Sequence, residues 1–129
     1  MANVNLRRLL LVVAGGTIGT AARLALGLLI PAGTGLPLAV FVANVVGALL
    51  MGIVAARLPA GRDARLLLGT GLLGGFTTYS AYMTGTIALW SDAPLLAIAY
   101  ALGSLVLGLA AVLVGVRLGR TRRSSSGAA

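Results

Sequence analysis

Residues Gly74 to Tyr82 read Gly-Gly-Phe-Thr-Thr-Tyr-Ser-Ala-Tyr, in the middle of an apolar segment of membrane length. Two glycines, two threonines and a serine are out of place there. A helix in lipid must satisfy its backbone internally, because no water is available to do so. Thr77, Thr78 and Ser80 could each bond back to their own helix. A whole cluster of hydroxyls after Gly-Gly predicts instead backbone that opens, to line a cavity or hold an ion. Tyr79 and Tyr82 are three residues apart and share one helix face. Asn44 sits between Val42-Ala43 and Val45-Val46 in another apolar run. Its amide either bridges helices or offers N–H donors to an anion. Arg23 lies well inside the first apolar run. A charge there costs at least about 2.5 kcal/mol on insertion scales. It therefore faces protein, a cavity or an interface, or snorkels to the outer headgroups.

The composition narrows the chemistry. Of 129 residues, 59% are hydrophobic and 9% charged, where a soluble domain carries about 25% charged residues. The solvent of this chain is therefore lipid. There is no cysteine and no histidine, and Asp63 and Asp92 are the two acids. Disulfides, thiolate metal sites and the usual acid–base or nucleophilic machinery are excluded, and with them an enzyme. The net charge of +8 comes from arginine. Those arginines lie at the ends of apolar runs, which fits a membrane surface and not nucleic acid.

Four spans can be drawn, at residues 9–30, 36–56, 66–90 and 94–116. Each is long enough to cross about 30 Å of hydrocarbon at about 1.5 Å per residue. The breaks between them are Gly- and Pro-rich. The predicted fold is an all-α membrane protein with four transmembrane helices, the third broken near its middle. Residues 1–119 form the transmembrane domain, and 120–129 a disordered, basic and Ser-rich tail. The first run holds Gly15, Gly16 and Arg23 and lacks an obvious cleavage site, so it is expected to remain as a span. Pairs such as Gly15/Gly19, Ala43/Gly47, Ala48/Gly52 and Ser104/Gly108 suit close helix packing in lipid. Four short helices enclose a hydrated path poorly, so a dimer is expected.

Nine arginines flank the spans on one side and none on the other. The positive-inside rule then puts both termini in the cytoplasm of a multi-pass plasma-membrane protein.

At these residues the chain resembles the Fluc (CrcB) family of fluoride channels, over nearly its whole length. Gly15-Gly-Thr-Ile-Gly-Thr-Ala-Ala-Arg23 is similar to the family's first-helix glycine motif. Asn44-Val-Val-Gly47 is similar to its second-helix asparagine motif. Gly71-Leu-Leu-Gly-Gly-Phe-Thr-Thr-Tyr-Ser-Ala-Tyr82 is similar to its third-helix break. The resemblance implies an antiparallel dimer with two fluoride pores and a central sodium ion that is structural and not transported. It assigns the sodium to the backbone carbonyls of Gly74 and Thr77. It assigns the fluoride pathway to Asn44, Tyr79, Tyr82 and Ser80, with Thr78 and with Ser104 from the fourth helix. Arg23 falls at an interface or vestibule. The implied function is passive fluoride export that lowers cytoplasmic fluoride.

Two departures stand out. Tyr79 and Tyr82 replace the phenylalanines usual in the family, so each hydroxyl either donates to fluoride or obstructs the path. The one-sided arginines oppose dual insertion, so the expected partner is an oppositely oriented homologue. The competing functions are a non-conducting partner subunit of a heterodimeric channel and a small multidrug exporter. The exporter needs an acid within a span, and both acids lie between spans. A reporter fused at Ala129 is expected to report from the cytoplasm; an extracellular signal would overturn the charge argument.

Overall fold

The computed structural model describes residues 5–31, 33 and 35–126, with side chains through Thr121. Helix α1 (Leu6–Leu29) starts where the Asn5 side chain accepts the Arg7 amide, and it ends at Ile30, held extended by Pro31. Helix α2 (Leu38–Arg57) follows Pro37 and stops at Leu58, extended before Pro59. Arg65 Nη1 donates to the Leu58 carbonyl at 3.0 Å, which satisfies one exposed end of α2. The chain then turns through Gly61, whose φ of 86° suits glycine.

The third rod is composite. Helix α3 (Asp63–Arg65) runs into a π-helical stretch, Leu66–Leu73, and then into α4 (Gly74–Phe76). Thr77 and Thr78 are extended. Helix α5 (Tyr79–Asp92) completes the rod, and α6 (Pro94–Ser126) follows after the single corner residue Ala93. The break thus falls where the Gly-Gly-Phe-Thr-Thr run predicts it. Helices α1, α2 and α6 are each long and apolar enough to cross a membrane unbroken, and the interrupted rod lies with them. No strand occurs among the described residues.

Helix α6 continues as helix to Ser126, past the expected end at 116 and into the segment expected to be disordered. Its 33 residues span about 50 Å, more than the hydrocarbon needs. Residues 127–129 of that tail lie outside the described residues, as do Ala32 and Thr34 of the first connection.

Two pairs of rods make the molecule: α1 with the π-helical stretch and α4, and α2 with α6. Both close on glycine. A Cβ at Gly15 or Gly19 would collide with the backbone of Leu67 or Leu72. Gly52 faces Val112, and Gly115 faces Leu49, backbone to backbone. A Cβ at Gly27, Gly103 or Gly108 would meet nothing within 4 Å, so Gly108 is not a close helix contact within this chain. The core is small: Tyr82, Leu89, Ala97 and Tyr100, with Phe41 and Val40 of α2 beside them. Large apolar side chains lie outside instead, Leu28 and Leu95 among them. That arrangement suits a protein whose solvent is lipid. At the polar rim Arg7 pairs with Asp63, fixing the start of α1 against the start of α3; both side chains are well exposed, so the pair adds little stability.

Replacing Gly19 by Leu is expected to cost about 1–3 kcal/mol or more, because backbone atoms must move. Gly103→Ala is expected to change stability by no more than about 1 kcal/mol. Melting temperatures of the purified variants check both.

Candidate functional site

The break is held by one amide. Asn44 Nδ2 donates to the Thr78 carbonyl at 3.0 Å, and the Thr78 amide donates back to Asn44 Oδ1 at 2.8 Å. Asn44 is thus committed to backbone on both sides of its amide, with one N–H left over. Of the two roles open in the sequence, the helix bridge is seen directly. Gly47, one turn along α2, leaves room for the Thr77 methyl, which would collide with any Cβ there.

The two halves of the rod are capped separately. Thr77 sends both its amide (3.0 Å) and its hydroxyl (2.9 Å) to the Leu73 carbonyl, closing the first half. Thr78 Oγ1 accepts the Ala81 amide at 3.2 Å and so caps α5. Ser80 Oγ lies 3.3 Å from Thr78 Oγ1. These bonds redirect donors. In an unbroken helix the Thr78 amide would serve Gly74, and the Ala81 amide would serve Thr77. Here both go elsewhere. The Gly74 and Thr77 carbonyls thereby lose their usual helical donors. Gly74 is exposed, and a Cβ there would find nothing nearer than 3.8 Å. Gly75 differs: it presses against the Gly16 backbone, and its carbonyl takes Thr20 Oγ1 at 3.4 Å and Arg23 Nε at 3.3 Å. Arg23 is therefore turned toward protein. It lines a groove of about 470 Å³ with Thr20, Gly27 and Val40.

Beyond the break, a pocket of about 240 Å³ is lined by Asn44, Thr78, Tyr79, Tyr82, Ser104 and Leu105. Five residues expected from the sequence meet here, from three separate rods. Ser80 does not line it but sits against Thr78. Tyr82 is buried and its hydroxyl donates to the Ala101 carbonyl at 2.9 Å. Tyr79 is 75% exposed, so its ring stands largely outside the chain. Ser104 Oγ is shielded from solvent and has no hydrogen-bond partner among the described residues. The same holds for Tyr100 Oη, one turn earlier on α6. Tyr100 was not expected here. The spacing of four to Ser104 is the signal that places both hydroxyls on one face. Unpaired buried hydroxyls are costly and call for an explanation, a ligand being one.

A family model described as "CrcB-like protein, Camphor Resistance (CrcB)" matches residues 10–116. The chain belongs to this family. It is 44% identical over 113 residues to the "Fluoride-specific ion channel FluC" of Paracoccus denitrificans, covering 84% of this chain and 91% of that one. It is 45% identical over 123 residues to the protein of the same name from Phenylobacterium zucineum, covering 89% and 97%. With "Fluoride-specific ion channel FluC 2" of Leifsonia xyli it shares 42% identity over 121 residues, covering 88% and 83%. In this CrcB-like chain the break and its pocket lie within the matched region.

Asn44→Ala deletes two neutral hydrogen bonds and is expected to cost about 1–3 kcal/mol. Asn44→Asp keeps the acceptor for the Thr78 amide but sets a carboxylate oxygen against the Thr78 carbonyl, and is expected to cost at least as much. Thermal melts in detergent read both; an unchanged melt would mean that the break stands without Asn44.

Proposed function

We propose that this chain is a subunit of a fluoride-specific channel that lets fluoride leave the cytoplasm down its gradient and so lowers its toxicity. The pocket beside the break carries this reading. Fluoride is small and strongly hydrated, and at membrane depth it must exchange water for other donors. The pocket supplies the unpaired Ser104 hydroxyl, the second N–H of Asn44 and the Thr78 hydroxyl, with Ser80 behind it. The ring edges of Tyr79 and Tyr82 add the positive end of the aromatic quadrupole. All of these groups are neutral. They can replace a hydration shell without holding the ion so tightly that it cannot leave. An inside-negative potential favours anion exit by about 2.3 kcal/mol per 100 mV.

Nothing at the pocket couples flow to protons. Asp63 pairs with Arg7 at the rim, and Asp92 is exposed at the end of α5. An exporter driven by proton exchange needs a carboxylate at depth.

The site reads as one half of a larger one. Tyr79 is mostly outside the chain and Gly74 lies on its surface. A second subunit would cover both, giving a dimer. Sodium fits the Gly74 and Thr77 carbonyls, which are neutral hard oxygens without helical donors. Bound there, it would supply a fixed positive charge joining the breaks of two subunits. The arginine asymmetry favours a single insertion direction. The partner is then a homologue of opposite orientation, with lipid around both.

Liposomes holding this chain alone, and then with such a homologue, test the reading. Fluoride efflux is expected from the pair, and Ser104→Ala is expected to slow it at least about tenfold, which is about 1.4 kcal/mol. No flux in either preparation would refute the channel. A conducting antiparallel homodimer of this chain alone would refute the heteromeric partner.

A further inference from the structure

We infer that Tyr82 is a positioning residue, whose hydroxyl holds its own ring in place and does not meet the ion. The inference rests on the channel reading above and refines it. A phenol has one proton to give. That of Tyr82 goes to the Ala101 carbonyl at 2.9 Å. The Tyr82 oxygen then has only lone pairs to offer elsewhere, and these repel an anion. What Tyr82 can present to fluoride is its ring edge.

The surroundings show why the tie matters. Tyr82 lies in the first turn of α5, four residues past Thr78, and Ala101 lies three residues before Ser104 on α6. The bond therefore joins the strand of backbone leaving the break to the opposite wall of the same pocket. Tyr82 is only 8% exposed. Its ring leans on Tyr100 at a centroid distance of 5.8 Å and on Tyr79 at 6.0 Å, tilted by 34° and 42°. Ring packing alone allows rotation about the ring axis and small swings of the ring; a fixed acceptor at the tip removes the swings. Tyr79 makes no such bond among the described residues and is exposed, so the two tyrosines have different tasks. Losing the hydroxyl leaves no buried orphan, because the Ala101 carbonyl keeps its place in the α6 ladder.

Three measurements test this in the conducting assembly. Tyr82→Phe keeps the edge and removes the tie. Fluoride efflux is expected to fall about three- to tenfold, the factor that one neutral hydrogen bond is worth, and the fluoride-to-chloride permeability ratio is expected to fall with it. Tyr82→Leu removes the edge and is expected to abolish flux. A Tyr82→Phe channel with unaltered flux and ratio would overturn the inference. So would one as inactive as Tyr82→Leu, which would assign the ion contact to the hydroxyl. The third measurement needs neither flux nor a substitution: vibrational spectra of the wild-type chain carrying ring-labelled tyrosine at position 82 alone. A donating hydroxyl is expected, unchanged when fluoride is added. A hydroxyl that changes partner on fluoride addition would overturn the inference. A wild-type assembly that passes no fluoride would refute the channel itself, while the spectrum still decides the bond.

Discussion

Two hydrogen bonds between Asn44 and the backbone of Thr78 let a helix stop in the middle of a hydrocarbon layer. Each open backbone group in lipid costs several kcal/mol, so a break there needs a substitute partner for every donor and acceptor it releases. Asn44 provides one of each, in the spacing of a backbone pair. Thr77 and Thr78 settle most of the remainder with their own side chains. The carbonyls of Gly74 and Thr77 are left without their usual helical donors. The same side chains that stabilise the interruption also decide which oxygens it leaves open.

Close packing makes that bracket possible. Asn44 can reach Thr78 only if α2 lies against the third rod, and Gly47 removes the side chain that would keep them apart. On the other side Gly15 and Gly19 let α1 touch the π-helical backbone, which brings Thr20 and Arg23 onto the Gly75 carbonyl. Placing Arg23 at this depth is costly, and its bond to the Gly75 carbonyl, which it shares with Thr20, offsets part of that cost. Glycine thus serves here less as a flexible residue than as absent volume.

Much of this was legible in the residues. Hydroxyls directly after Gly-Gly in an apolar run have few uses other than ending a helix, and the break lies there. Asn44 stood out because an amide in hydrocarbon needs partners. Its partner did not: nothing in composition tells whether an asparagine will meet backbone, side chain or ion. The π-helical stretch was hidden because Leu66-Leu-Leu-Gly-Thr-Gly-Leu-Leu73 is as apolar as an ordinary span. The acceptor of Tyr82 was hidden because it is a main-chain oxygen of an alanine on another helix. The continuation of α6 into the polar segment expected to be disordered was not legible, because polar residues mark the end of hydrocarbon and not the end of a helix.

The wide-turn stretch Leu66–Leu73 has a further consequence. A π turn takes up an extra residue that an α turn would spend on length. The distance from the rim at Arg65 to the open carbonyls is therefore set by helix type as well as by residue count. Because the α1 glycines lie directly against this backbone, a rod that unwound or tightened would shift that contact. The stretch acts as a ruler with its graduations cut to match α1. Inserting or deleting a single residue in it would turn the opening away from Asn44, even though every side chain named above remained.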